Sequence, residues 1–316
     1  MSRGVQSQVN GVPAPAVAGD FASANWNRFS VLSGPGGLVA GSAGVTVGYF
    51  AWLSQQSIDP DNAAQIVNSF GTGVPDGFVS RPDSPAIITV YLADGTMLIQ
   101  QGAPVPLHSG GDFWVVNNGT AINVVGNKAY ADLTTGKASF AATGTPTVAN
   151  SSSSTIAPET WTGTGSVNGN VMTIGTVTGS VAIGSVLTTG ASGSIVSQLS
   201  GTALGAGTYA LSIPEQTVAS GTSLGGGYGL MTIGGSLTGA AFQVGGVVST
   251  GAGVTAGTTI TAFGTGSGGA GTYYVNLTQT VSSGTAMDFT TNVETKWIAR
   301  SIGAAGELVK ISEVIQ

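Results

Sequence analysis

Cysteine is absent from the 316-residue chain, which removes disulfide frameworks, thiolate metal sites and thiol nucleophiles. His108 is the only histidine, so no centre built on two imidazoles of one chain is available. Charge is scarce too: 8 Lys and Arg with 14 Asp and Glu make 7% of the residues, against about 25% in ordinary soluble domains. The net charge of -6 provides no basic stripe to follow a phosphate backbone, and nucleic acid is not expected as a partner. No run of 18 apolar residues occurs, and Met1-Ser2-Arg3-Gly4 opens no signal-peptide core, so neither membrane spanning nor secretion by a cleaved signal is expected. What is abundant is glycine, 52 residues, within a composition that is 41% hydrophobic. That suffices for real cores, and a mean hydropathy of +0.32 spread over Ala, Val, Ile and Gly implies large protein-facing surfaces.

Charge divides the chain. No basic residue lies between Lys137 and Lys296, and before Glu294 the acids of that stretch are Glu159, Glu215 and Asp288. The stretch opens with a tract from Thr143 to Thr155, containing Ser151-Ser152-Ser153-Ser154, whose composition is that of a flexible connector over 146–159. Behind it lies an internal repeat. Met172-Thr173-Ile174-Gly175 returns as Met231-Thr232-Ile233-Gly234, Gly205-Ala206-Gly207-Thr208-Tyr209 as Gly269-Ala270-Gly271-Thr272-Tyr273, and Gln216-Thr217-Val218 as Gln279-Thr280-Val281. The offset is 59 at first and 63 to 64 later, so one loop of the second copy is longer. Short β-branched and aromatic runs between Gly-rich turns predict two tandem β-sandwich or barrel modules, at 160–224 and 225–288.

The first 145 residues also read as strands, best at Val45–Trp52, Ala86–Leu92 and Asp112–Val116, with one helix-compatible piece at Asp59–Val67. Charge returns in Glu294–Arg300 and Gly306–Ser312, which match that first region in composition. The predicted fold is therefore all-β: a discontinuous base of 1–145 plus 289–316, barrel or jelly-roll-like, carrying the two modules as an insertion.

No motif demands catalysis. Gly264–Gly269 fits the letters of a dinucleotide fingerprint, but Thr272-Tyr273-Tyr274-Val275 follows as a strand where a helix is required. Gly136-Lys137 reads as a hairpin turn, and Asp59-Pro60-Asp61-Asn62 lacks the central Gly and closing Glu of a calcium loop. His108 has Ser109 and Asp112 nearby but no nucleophile elbow, and a surface or strand-end histidine is expected. No catalytic, cofactor or metal residue is assigned. Trp161, at the entry to the repeats, is left without a role, and the five tryptophans do not cluster into a sugar-stacking platform. The segment Val12–Asp20, held extended by Pro13 and Pro15, reads either as an apolar surface arm that needs something to lie on or as a frayed terminus.

Several blocks carry a resemblance: Val12–Asn25, Gly34–Gly41, Gly44–Trp52, Gly111–Trp114, Lys128–Asp132 and Gly306–Ser312. Together they are similar to the structural cement, or capsid decoration, proteins of tailed bacteriophages, over about 10–142 and 290–316 in the family's order. The pattern departs at Tyr49 and at Trp26-Asn27. The resemblance implies a virion protein without catalysis, bound to the outside of an icosahedral shell, with the major capsid protein and further copies of itself as partners. A homodimer or homotrimer is expected, since many weak contacts around a symmetry axis sum to tight binding. Val12, Pro13, Pro15, Val17, Asp20, Phe21, Trp26 and Arg28 are the candidate capsid or subunit contacts. The alternative is an adhesion protein whose modules bind host-surface glycans.

Overall fold

The computed structural model describes residues 16–24, 28–34, 36–54, 64–81, 97–212 and 216–313, and every regular element among them is a β-strand. The region before residue 142 contributes β1 (Phe29–Ser30), β2 (Leu38–Ala40), β3 (Val45–Thr46), β4 (Phe50–Ser54), β5 (Gln65–Asn68), β6 (Gly77–Val79), β7 (Leu98–Ile99), β8 (Leu107–Gly110), β9 (Asp112–Val116), β10 (Lys128–Asp132) and β11 (Ala138–Ala141). One sheet has the order β1-β8-β6-β4-β5-β2, with β3 and β7 paired separately. The strand expected over Val45–Trp52 is two strands, because the chain turns at Gly48 with a φ of 83°. A Cβ there would fall 2.8 Å from that of Ala18, so only glycine fits. Gln65–Val67, expected within a helix, lies in β5 between β2 and β4, where Ile66 and Val67 suit a pleated surface. Asp59–Ala63 and the strand expected at Ala86–Leu92 lie outside the described residues.

The insertion follows as β12 (Val148–Gly169), β13 (Val171–Thr178), β14 (Val186–Thr189), β15 (Ile195–Gly201), β16 (Gly207–Leu211), β17 (Gln216–Gly239), β18 (Val248–Gly251), β19 (Ile260–Phe263), β20 (Gly271–Val275) and β21 (Val281–Thr290). Two of these are far longer than the sequence suggests: β12 has 22 residues and β17 has 24. They pair antiparallel from Ala149↔Gly239 to Gly169↔Gln216. The second half of β12 is flanked by β13 and the start of β17, and its first half by the end of β17 and β21. Each long strand therefore serves both modules. One core gathers Trp161, Val167, Met172, Tyr209 and Leu224; the other gathers Ala149, Ile156, Met231, Tyr273 and Phe289.

This corrects two expectations. The tract 146–159 is no flexible connector: from Val148 it is the strand on which the second module is built. Nor does 224/225 separate two modules, because it falls inside β17. The serines mislead because their hydroxyls are satisfied within the sheet: Ser154 Oγ donates to Ser151 Oγ at 2.8 Å, and Ser151 Oγ to the Gly234 carbonyl at 2.7 Å. Ala149, Ser151, Ser154 and Ile156 all face inward, with a register shift between Ser151 and Ser153. Pro158 sits after the last pair with β21 (Ile156↔Val281) and before the first with β13 (Thr162↔Thr178), where its missing donor removes no ladder bond on that side.

Trp161 now has a place. It is buried in the first module, its Nε1 donates to Ser185 Oγ at 2.8 Å, and Gly226 is its cross-strand partner. A Cβ at Gly226 would approach that nitrogen to 3.0 Å and the Val186 carbonyl to 2.7 Å, which accounts for glycine within a strand.

The chain then returns with β22 (Asn292–Ala299) and β23 (Leu308–Glu313), completing a sheet of order β11-β10-β22-β23-β9. The Asn118 N–H, just past β9, donates to the Ala138 carbonyl in β11 at 2.8 Å, so the sheet curls until its two edges meet. Its inner face and the first sheet share one core, with Phe50, Phe78, Phe113, Trp297 and Ile311 at its centre. The insertion enters and leaves side by side: the Thr291 N–H donates to the Thr147 carbonyl at 2.9 Å.

Candidate functional site

Of the eight candidate contact residues, Val12, Pro13, Pro15 and Trp26 lie outside the described residues. The other four are brought together along the free edge of β9. The Gly19 and Ala22 N–H groups donate to the Trp114 and Asp112 carbonyls, and Phe21 bridges Phe113, so this short stretch extends the chain's own sheet. Asp20 accepts from the Val17 N–H at 3.0 Å and pairs with Arg81 at 3.4 Å. The Arg28 guanidinium lies 3.6 Å from the centre of the Phe21 ring. Asp20, Phe21 and Arg28 thus have intramolecular work, and Val17 is the most exposed apolar residue of the group, at 42%.

His108 sits beneath this stretch, its ring centroid 5.6 Å from that of Phe21 and 5.4 Å from that of Phe113. Burial first, and the Arg28 charge second, lower its pKa from 6.5, which keeps it neutral at neutral pH. Its Nδ1 is buried without a hydrogen-bond partner among the described residues. Ser109 Oγ donates to the Phe29 carbonyl, and Asp112 accepts from Ser23, so no triad assembles. Gly264–Gly269 forms the turn before β20, and Gly136, with a φ of 70°, closes the β10–β11 hairpin. No group of three or more potential metal ligands occurs among the described residues.

At the root of the insertion, Glu294 ties the base to the connecting loop. Its carboxylate accepts from Tyr130 Oη at 2.9 Å, Thr143 Oγ1 at 2.8 Å and the Gly144 N–H at 2.8 Å, with Lys128 Nζ at 3.9 Å. Burial pushes its pKa up, but the hydrogen bonds and Lys128 outweigh that and leave it below 4.5. This is a structural clamp.

The surface feature that sequence reasoning missed lies where β9 hands over to β10 and β22 to β23. There Asn123 bridges Gly303 in antiparallel register. Asn123 points inward, donating to the Ser301 carbonyl at 2.8 Å and accepting from the Gly303 N–H at 2.6 Å. Buried Asn117 braces the same pair of loops through the Ala121 and Gly303 carbonyls. With Asn123 turned in, the alternation of an extended chain turns Ile122 and Val124 out, and Val125 stands in the turn that follows. Ile122 is 65% exposed, Val124 61%, Val125 53% and Ile302 67%. No charged residue occurs from Asn117 to Asn127 or from Ser301 to Gly306, while Lys128, Arg300 and Glu307 border the loops. The uncharged run Ala121–Val125 is the signal that could have found it.

A family model described as structural cement protein (E217 gp24/Pam3 gp6), of phages, matches residues 5–172, more than half of the chain. The matched range covers β1 to β11 and ends in β13, so β22 and β23 lie beyond it. No curated protein and no solved structure matches the chain.

Proposed function

This chain belongs to the phage structural cement protein family, and from that premise we propose that it binds the outer surface of the icosahedral capsid and cements neighbouring major capsid subunits. The family is structural and capsid-associated; the staple-like action across subunits, the outer location and a homodimeric or homotrimeric state are our reading. The observation that carries it is the family match over 5–172, which takes in eleven strands of the base. The physics agrees: a cement acts by standing in place, and its role calls for extensive β-pairing and uncharged contact area rather than a reactive centre. We further propose that the modules of the insertion project outward from the shell. In support, the insertion meets the base near its root, where Thr147 and Thr291 lie side by side, Gln243 reaches Asp132 at 3.2 Å and Gly245 lies against Gly71.

Cosedimentation with undecorated, expanded capsids tests this, comparing the full chain with a variant in which residues 148–290 are replaced by a short glycine linker. Both are expected to bind. Failure of both overturns the cement reading, and binding lost only with the insertion reverses the assignment of the capsid-facing part.

A further inference from the structure

We propose that the uncharged tip formed by Ile122, Val124, Val125 and Ile302 is the surface that docks on the shell, against an apolar patch on the outer face of the major capsid subunits. This rests on the cement reading above and specifies the contact it would use.

Three observations lead there. First, the tip is built and not frayed: Asn117 and Asn123 are both buried, and their amides tie the two loops together through the Ala121, Ser301 and Gly303 carbonyls. Little conformational freedom remains to be lost when a partner covers it. Second, its chemistry is that of an interface centre. Four aliphatic side chains, each more than half exposed, stand together with no charge among them, and Lys128, Arg300 and Glu307 form the border. A partner with unpaired charge would be desolvated there without compensation, so the complementary surface is uncharged and apolar. Third, the tip has a fixed place relative to the insertion. The chain enters β22 from the insertion at Asn292 and leaves it at Ala299 toward Ile302, about 23 Å farther along for a strand of this length. With the modules directed outward, the other end of β22 is left to face the shell.

The test uses the full-length protein and undecorated capsids. A double variant, Val124→Asp with Ile302→Asp, is expected to lose at least tenfold in capsid affinity by cosedimentation, while its melting temperature and oligomeric state match the wild type. The conservative pair Val124→Ile with Ile302→Leu is expected to bind normally. A photocrosslinking residue at position 302 in the otherwise unaltered chain should capture the major capsid protein. Undiminished binding by the aspartate variant overturns the proposal. So does dissociation of the oligomer, or crosslinking to a second copy, either of which would make the tip a contact between copies of this chain. Failure of the wild-type protein to bind capsids is a separate result that removes the cement reading itself.

Discussion

His108 shows how much one side chain depends on its cover. Between Phe21 and Phe113 its neutral ring packs well, and burial followed by Arg28 lowers its pKa from 6.5. The unfolded chain therefore takes up the proton first as pH falls. The stability contributed by the neutral ring is complete above about 6.5 and is lost as pH drops from there toward the lower folded value. Calorimetry from pH 8 to pH 5 should show the melting temperature of the wild type falling, and the fall should be smaller in His108→Phe. Glu294 acts in a separate, more acidic window, because its pKa is held below 4.5 and its contribution disappears only as pH falls through that lower value. Gly226 is legible only in retrospect. In sequence, Gly225-Gly226-Gly227 opens the second expected module, yet it lies in mid-strand, and Trp161 fills the space a side chain at Gly226 would need. Gly226→Val is expected to cost about 1–3 kcal/mol in chemical denaturation, the range for overpacking a filled core.

Strand β12 carries the lesson at the scale of elements. Its composition reads as a connector, but burial follows position, and Ala149 and Ile156 anchor the second module's core. A serine-rich strand is hard to recognise because propensity scales report fit to a half-buried surface, whereas Ser151 and Ser154 are accommodated by hydroxyl bonds that only the folded sheet supplies. The repeat was readable because the residues facing each core recur, as Met172 and Met231 or Tyr209 and Tyr273 do. That the two copies share strands was not readable, since pairing partners of β12 lie up to 142 residues away, as in Val148↔Thr290. Ser154→Pro, placed between β17 and β21, removes a donor in the interior of the sheet. Hydrogen exchange is expected to speed up across β18–β21 and to stay slow across β13–β16. Equal loss in both modules would mean that they unfold as one cooperative unit.

For the whole molecule, the distribution of charge was the most informative sequence signal. Its return at Glu294 and Lys296 leads to the expectation that the last strands rejoin the first region's sheet; the structure pairs β22 with β10 and β23 with β9. The apolar tip was missed because its two halves, at 122–125 and 302, meet only once β22 and β23 are in place. If that tip is the docking surface, capsid affinity should change less than about threefold between 50 and 500 mM NaCl, since screening acts on charges and the contact has none at its centre. A steep loss with salt would assign the binding to the charged border instead. The paired Thr147 and Thr291 have a practical consequence as well. With two neighbouring chain ends at this point, and the modules outward as proposed, the insertion is a candidate cargo position. An unrelated folded domain whose termini lie close together could be genetically grafted between them, giving a particle that displays it in one copy per cement subunit.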